Sequence, residues 1–282
     1  DVANAMGTSV GSGALTFRNA IIAAAVFEFL GAFFAGDAVT DTVRKGILNF
    51  EEADLAIYST ELKYGFIAAM FAAALWLTTA TKYGLPVSTT HSIVGGILGI
   101  GLYVAPEHVD WAVVTKIIMS WVASPLLGGI LAFTTFNIVK KVIMDVENPV
   151  ERSRIMAPIL ALPTFFVLGL ALQYKAMKGL IDRLDTKGYI DKVNWLPAKE
   201  GTTFNIFEEG AWLPLNSLLL ALFIAVIASS VLYWILKDYE FEETGYQGVE
   251  KIFVWLQIIT ACYVAFAHGA NDRSNAIGPM AA

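Results

Sequence analysis

Charged residues along this chain are gathered into short clusters, and long apolar runs separate them. Asp, Glu, Lys and Arg are absent from Tyr64–Thr81, Tyr83–Pro106, Ile117–Val139, Ile155–Tyr174, Ala211–Leu236 and Ile252–Asn271. About 20 apolar residues carry a helix across a bilayer core. A soluble surface helix is apolar on one stripe only, whereas these runs are apolar on every face. The pattern predicts spans at Leu15–Gly36, Tyr64–Thr81, Ile117–Met144, Ile155–Tyr174, Pro214–Leu236 and Ile252–Ala267. Trp212 at one end of its run, with Tyr233 and Trp234 at the other, fits the preference of amphipathic rings for the headgroup layers. Val87–Val104 is apolar but rich in glycine and hydroxyls, so it either crosses or dips in and returns.

The remaining segments read as connections. Asp1–Gly13 is a short helical piece that does not span alone. Asp37–Lys63 is an acidic loop with room for a short amphipathic helix, and Asp145–Arg154 is a charged link. Gly84 and Pro86 punctuate a turn. Lys175–Gly210 is the longest polar stretch. It divides residues 1–174, a first repeat with its following spans, from residues 211–282, the start of a second repeat. The Lys/Arg bias between loops is small, so the positive-inside rule assigns no orientation.

Composition narrows the picture. Charged residues make up 16% of the chain. Soluble domains carry roughly 25%. A net charge of −6 offers nucleic acid no basic surface. One cysteine, Cys262, excludes an internal disulfide framework. Three histidines, His91, His108 and His268, form no metal-binding motif. No cofactor motif is present. Gly7-Thr8-Ser9-Val10-Gly11 matches the spacing of a nucleophile elbow, but that motif needs a preceding strand and triad partners, and the context here is helical. These features exclude a hydrolase and leave no enzyme class supported.

Candidate chemistry enters through a repeat. Asp1-Val-Ala-Asn4-Ala5-Met-Gly7 and Asp272-Arg-Ser-Asn275-Ala276-Ile-Gly278 both read D-x-x-N-A-x-G. Asp and Asn three apart share a helix face. A carboxylate in or near hydrocarbon is costly and normally faces a cavity, a partner or an ion. Asp and Asn oxygens suit a small hard cation. Repeated elements of this kind, on broken helices near the midplane, are how many secondary transporters build their sites.

A second feature is Pro86-Val-Ser88-Thr89-Thr90-His91. Proline suits a helix's first turn, where its missing N–H costs nothing. The unpaired N–H groups of that turn suit a phosphate-like anion, and three hydroxyls could add donors. The same hydroxyls also serve as helix–helix glue; it is their company with the Asp/Asn elements that points to an anion site. Glu28, alone in an apolar run, is expected to face the protein interior, in a coupling or structural role. His91 and His268 are lone histidines, read first as packing residues, with His91 kept as a coupling candidate.

DVANAMGTSVGSG, PVSTTH and GANDRSNAIGP together resemble the PiT family of inorganic phosphate transporters, along essentially the whole chain. The resemblance implies an all-α membrane protein built as an inverted-repeat transporter, with broken or re-entrant helical hairpins meeting at a central site. It implies import of inorganic phosphate by symport with Na⁺ or H⁺, a multi-pass place in the cell membrane and a homodimer. Carried over by position, Asp1 and Asn4 match the first element, and Asn271, Asp272 and Asn275 the second. Ser88, Thr89 and Thr90 match a hydroxyl-rich hairpin, and Glu28 an acidic residue in the helix after the first element.

The expected assignment is phosphate on Ser88, Thr89, Thr90, Asn4 and Asn275, Na⁺ on Asp1, Asn4, Asn271, Asp272 and Asn275, and coupling or gating through Glu28 and His91. No cofactor is expected beyond Na⁺ as coupling ion. The Gly-Ala-Asn that should precede Asp1, and a second hydroxyl-rich hairpin, are missing, which leads to the expectation of a chain truncated at both ends. Proton-coupled or metal-phosphate symport, a sulfate or other oxyanion carrier, and a non-transporting phosphate receptor are the rival readings.

Overall fold

The computed structural model describes residues 2–35, 47–50, 52–196, 214–237 and 245–281. Its helices are α1 (Val2–Gly11), α2 (Phe17–Ala35), α3 (Glu52–Lys82), α4 (Thr89–Val104), α5 (Trp111–Val139), α6 (Pro149–Ala171), α7 (Lys178–Thr186), α8 (Leu215–Lys237) and α9 (Gly245–Ala281). No strand occurs among the described residues; a single bridge joins Leu48 to Val109. Among the described residues, six helices are long and apolar enough to cross a membrane, and α4 is a shorter apolar helix.

Small residues decide which helices touch. In α2, Ala20, Ala24, Gly31 and Ala35 form the buried stripe, while Phe29, Phe33 and Phe34 lie on the exposed surface. With no water to exclude between membrane helices, close backbone approach is the main source of packing energy. The stripe meets α9, where Ala261 and Ala265 are buried in the same cluster. A Cβ added to Gly31 would strike the carbonyl of Phe266, and one added to Gly269 would strike the backbone of Glu28. In α8, Ser217, Ala221, Ala225, Ser229, Leu232 and Leu236 form a similar stripe. It faces α6, with Ala221 against Gly169 and Leu232 and Leu236 clustered with Ala157 and Ala161, so the two helices run antiparallel.

α3 and α4 form an antiparallel hairpin. Gly65 lies against Ile100 and Gly96 against Ala69. The chain reverses through Gly84, whose φ of +66° favours glycine. At the far end of the hairpin, Phe50, Tyr58 and His108 pack ring to ring, and Tyr58 donates to Glu107. Asp110 caps α5 by accepting from the backbone of Ala112 and Val113, the role that a carboxylate at this position fills well.

Three elements depart from expectation. The polar segment before Lys63 is helical from Glu52, so α3 starts well before the apolar run: a packed apolar core at Leu62 and Phe66 lets the helix continue outward into polar sequence. Within the polar stretch that begins at Lys175, residues 178–186 form α7 and Lys192–Asn194 a short 3-10 turn. The segment around Asp272 is no separate broken helix; it continues α9, which runs unbroken from Gly245 to Ala281.

Candidate functional site

Two elements of the sequence converge where α4 begins. Ser88, in an extended conformation, caps α4 by accepting from the backbone N–H of His91 at 3.3 Å. Serine is among the preferred residues at such a cap. Ser92 donates back to the Ser88 carbonyl at 2.8 Å. Thr89 and Thr90 are thus the first helical residues, beside N–H groups that have no partner within the helix.

On α9, residues 268, 272 and 275 fall on one face, because a helix brings i, i+4 and i+7 into line. The side-chain amide of Asn275 donates to the Thr90 hydroxyl at 3.0 Å and to Asp272 Oδ1 at 3.2 Å. The other Asp272 oxygen lies 3.2 Å from His268 Nε2, and His268 Nδ1 lies 3.1 Å from Glu28 Oε1. The result is a polar ladder, Glu28–His268–Asp272–Asn275–Thr90, joining α2, α9 and α4, in which the His268–Asp272 step is a close approach and not a hydrogen bond. The glycines explain its first rung. Gly269 lets α2 approach α9 so closely that the Glu28 carboxylate reaches the ring of His268, one residue away. Arg273 fixes the same crossing by donating to the Ala32 carbonyl at 3.0 Å.

The chemistry of the ladder follows from its donors. A neutral imidazole donates from one nitrogen and an imidazolium from both. Carboxylate oxygens lie within 3.2 Å of both nitrogens of His268. As the acceptor from Asn275, Thr90 retains its own hydroxyl proton for donation. The Asp272 side chain is 40% exposed, within reach of a small ion.

Not every expected residue sits on the ladder. Asn4 lies on the exposed face of α1, whose Ala5, Met6 and Ser9 are buried. Ser12 donates to Gln257 at 3.1 Å and ties α1 to α9. Asp1 lies outside the described residues. Asn271 is partly buried on α9 beside Asp272. His91 stands apart from the ladder, its ring against Trp121 of α5. His268, which reads as a packing residue in the sequence, is the ladder's second member, between Glu28 and Asp272. The available signal was its position four residues before Asp272.

The phosphate transporter family profile matches residues 1–282, the whole of this chain. The chain belongs to that family. Within the phosphate transporter family, a relative from Thermococcus kodakarensis named "Putative phosphate permease" is 40% identical over 283 residues, covering 100% of this chain and 61% of the relative. A Haemophilus influenzae protein of the same printed name is 35% identical over 287 residues, again covering 100% and 61%. A solved structure titled "The sodium-dependent phosphate transporter" superposes with a TM-score of 0.77 at 34% identity, covering 100% of this chain and 62% of that one. The chain therefore spans about three fifths of the length of these family members. Family and fold make it a multi-pass integral membrane protein of a transporter family rather than an enzyme.

Proposed function

We propose that the whole protein imports inorganic phosphate by symport with Na⁺, and that the ladder is this chain's share of the site. The observation that carries the reading is the hydrogen bond between Asn275 and Thr90. It joins the hydroxyl-rich helix start to the Asp/Asn element. On this reading Ser88, Thr89 and Thr90 offer hydroxyls and helix N–H groups to a tetrahedral anion, with Asn275, and Asn4 from α1, as further polar contacts. Asp272, with Asn271, Asn275, Asn4 and Asp1, offers hard oxygens to Na⁺. A cation on Asp272 lowers the electrostatic cost of placing phosphate nearby, which gives obligatory coupling its physical reason. The sodium-dependent transporter among the solved relatives supports the choice of ion.

A second reading has its own observation. His268 lies between the carboxylates of Glu28 and Asp272, an arrangement suited to carrying a proton in place of Na⁺. Radiolabelled phosphate uptake into proteoliposomes separates the two. Uptake driven by a Na⁺ gradient at equal pH supports Na⁺ symport. Uptake driven only by a pH gradient supports the second reading. Accumulation of sulfate but not phosphate would sink both. Asp272→Asn abolishes Na⁺-driven uptake on the favoured reading, and wild-type rates in that variant would remove Asp272 from the site.

A further inference from the structure

The first turn of α4 is held on several sides. Ser88 caps it, and Asn275 of α9 holds Thr90. His91 points about 100° further round the helix than Thr90. Its imidazole meets the indole of Trp121 on α5, with ring centroids 4.1 Å apart and planes inclined by 37°. Toward α3 the turn is less supported. There Ser88, His91 and Ser92 line a cavity of about 500 Å³, with Trp76 on its far wall. A turn with open space on one side keeps its rotation only through the contacts on its other sides. α5 joins the hairpin core through buried Val114, with Ile117 packed against the same core, and partly buried Trp121 adds a contact one turn beyond Ile117.

We propose that Trp121 is a positioning residue for the anion-binding turn. Packed against His91, it sets the rotation of α4's first turn so that the Thr90 hydroxyl stays on Asn275 and the helix N–H groups keep their aim. The proposal rests on the phosphate reading for the identity of the ligand, but the mechanical claim concerns the turn itself. Trp121 acts through His91 and touches no substrate.

The test uses full-length protein in proteoliposomes and two independent readouts. The first is phosphate uptake. Trp121→Leu removes the aromatic face and raises KM for phosphate about fivefold, in line with the worth of an aromatic pair, with Vmax within about twofold. Trp121→Phe keeps a ring and restores KM. In a His91→Gln background, Trp121→Leu adds no further change. The second readout needs no transport. In a Cys262→Ala background, Ser92→Cys places a thiol on the cavity wall. Its modification rate by a small methanethiosulfonate rises several-fold when Trp121→Leu is added and returns with Trp121→Phe. A fall in Vmax alone, additivity with His91→Gln, or an unchanged thiol rate would each overturn the positioning role. Absence of phosphate uptake by the wild type, with the thiol rate still responding, would overturn the phosphate reading and leave the positioning role standing.

Discussion

The side-chain amide of Asn275 donates to the hydroxyl of Thr90 at 3.0 Å, across 185 positions of sequence. That bond places the start of α4 against the end of α9. Asn275→Ala removes it and leaves Asp272 without its Asn275 donor. KM for phosphate is expected to rise about tenfold or more, the usual consequence of losing a hydrogen bond to a charged group. Thr90→Val, which keeps the shape and removes the hydroxyl, is expected to raise KM comparably. A double variant no worse than either single one would show that the two residues act as a pair. Uptake kinetics in proteoliposomes measure all three.

His268 offers a different kind of test. Glutamine keeps one hydrogen bond but never carries a proton. His268→Gln is expected to lower Vmax about tenfold or more while leaving the protein folded, because Glu28 and Asp272 then lose the imidazole ring that stands between them. Measuring uptake against external pH in wild type and variant shows whether His268 titrates during the cycle. A pH dependence that survives the substitution unchanged would remove it from coupling.

Packing at the α2–α9 crossing predicts a loss of stability. A methyl group at Gly31 or Gly269 meets backbone of the opposing helix, which cannot give way as a flexible side chain would. Gly269→Ala is expected to cost about 1–3 kcal/mol, the usual range for overpacking. It also displaces Glu28 from His268. Thermal unfolding of detergent-solubilised protein, followed by size exclusion, gives the first effect. Uptake assayed well below the lowered Tm isolates the second.

Gln173 lies fully buried where α6 ends, donating to the carbonyls of Gly169 and Ser217 at 3.3 and 3.2 Å. Gln173→Leu leaves the Ser217 carbonyl without that donor and is expected to cost about 1–3 kcal/mol. The loss appears as a lower Tm with KM for phosphate unchanged, because neither of its hydrogen bonds goes to a ladder residue.

At the far end of the α3–α4 hairpin, a hydrogen bond from its own backbone N–H holds the Glu107 carboxyl below its ordinary value of 4.5, with the Tyr58 hydroxyl and His108 adding to the effect. A depressed folded value stabilises the fold above the unfolded pKa and loses that contribution as pH falls through the folded one. Glu107→Gln is therefore expected to flatten the acid limb of Tm below about pH 4.5. The variant lacks that contribution at neutral pH, where the wild type has it in full, and the two converge in acid. Thermal scans across that range read the difference, which is small because the carboxylate is exposed.

Sequence carried the spans, the all-helical class and most of the ladder, and the reasons are local. Charge-free runs declare themselves by length alone. Asp272 with Asn275, and Ser88 through Thr90, were legible because each is costly or unusual in an apolar setting. The role of His268 was not, because a single histidine carries no sign of the carboxylate another helix will bring to it. Glu28 was expected to face inward, but its partner lies 240 residues away. Gly31 and Gly269 looked like two of many glycines; only the crossing shows which ones the backbone contact requires. Asp37–Lys63 read as an acidic loop with room for a short amphipathic helix, and its polarity masked that from Glu52 it belongs to the long helix α3, stabilised by the packing further along it.

The unbroken course of α9 bears on leakage. His268, Asp272 and Asn275 share one rigid face of a helix that runs from Gly245 to Ala281. At the usual rise per residue, a helix of that length spans roughly 55 Å. On the proposed reading, any rotation of α9 that withdraws Asp272 from its ion also withdraws Asn275 from Thr90. Slippage of phosphate without its companion ion would therefore require α9 to fracture between positions 272 and 275. A glycine pair introduced at residues 273 and 274 is the change that should turn a coupled carrier into a leaky one.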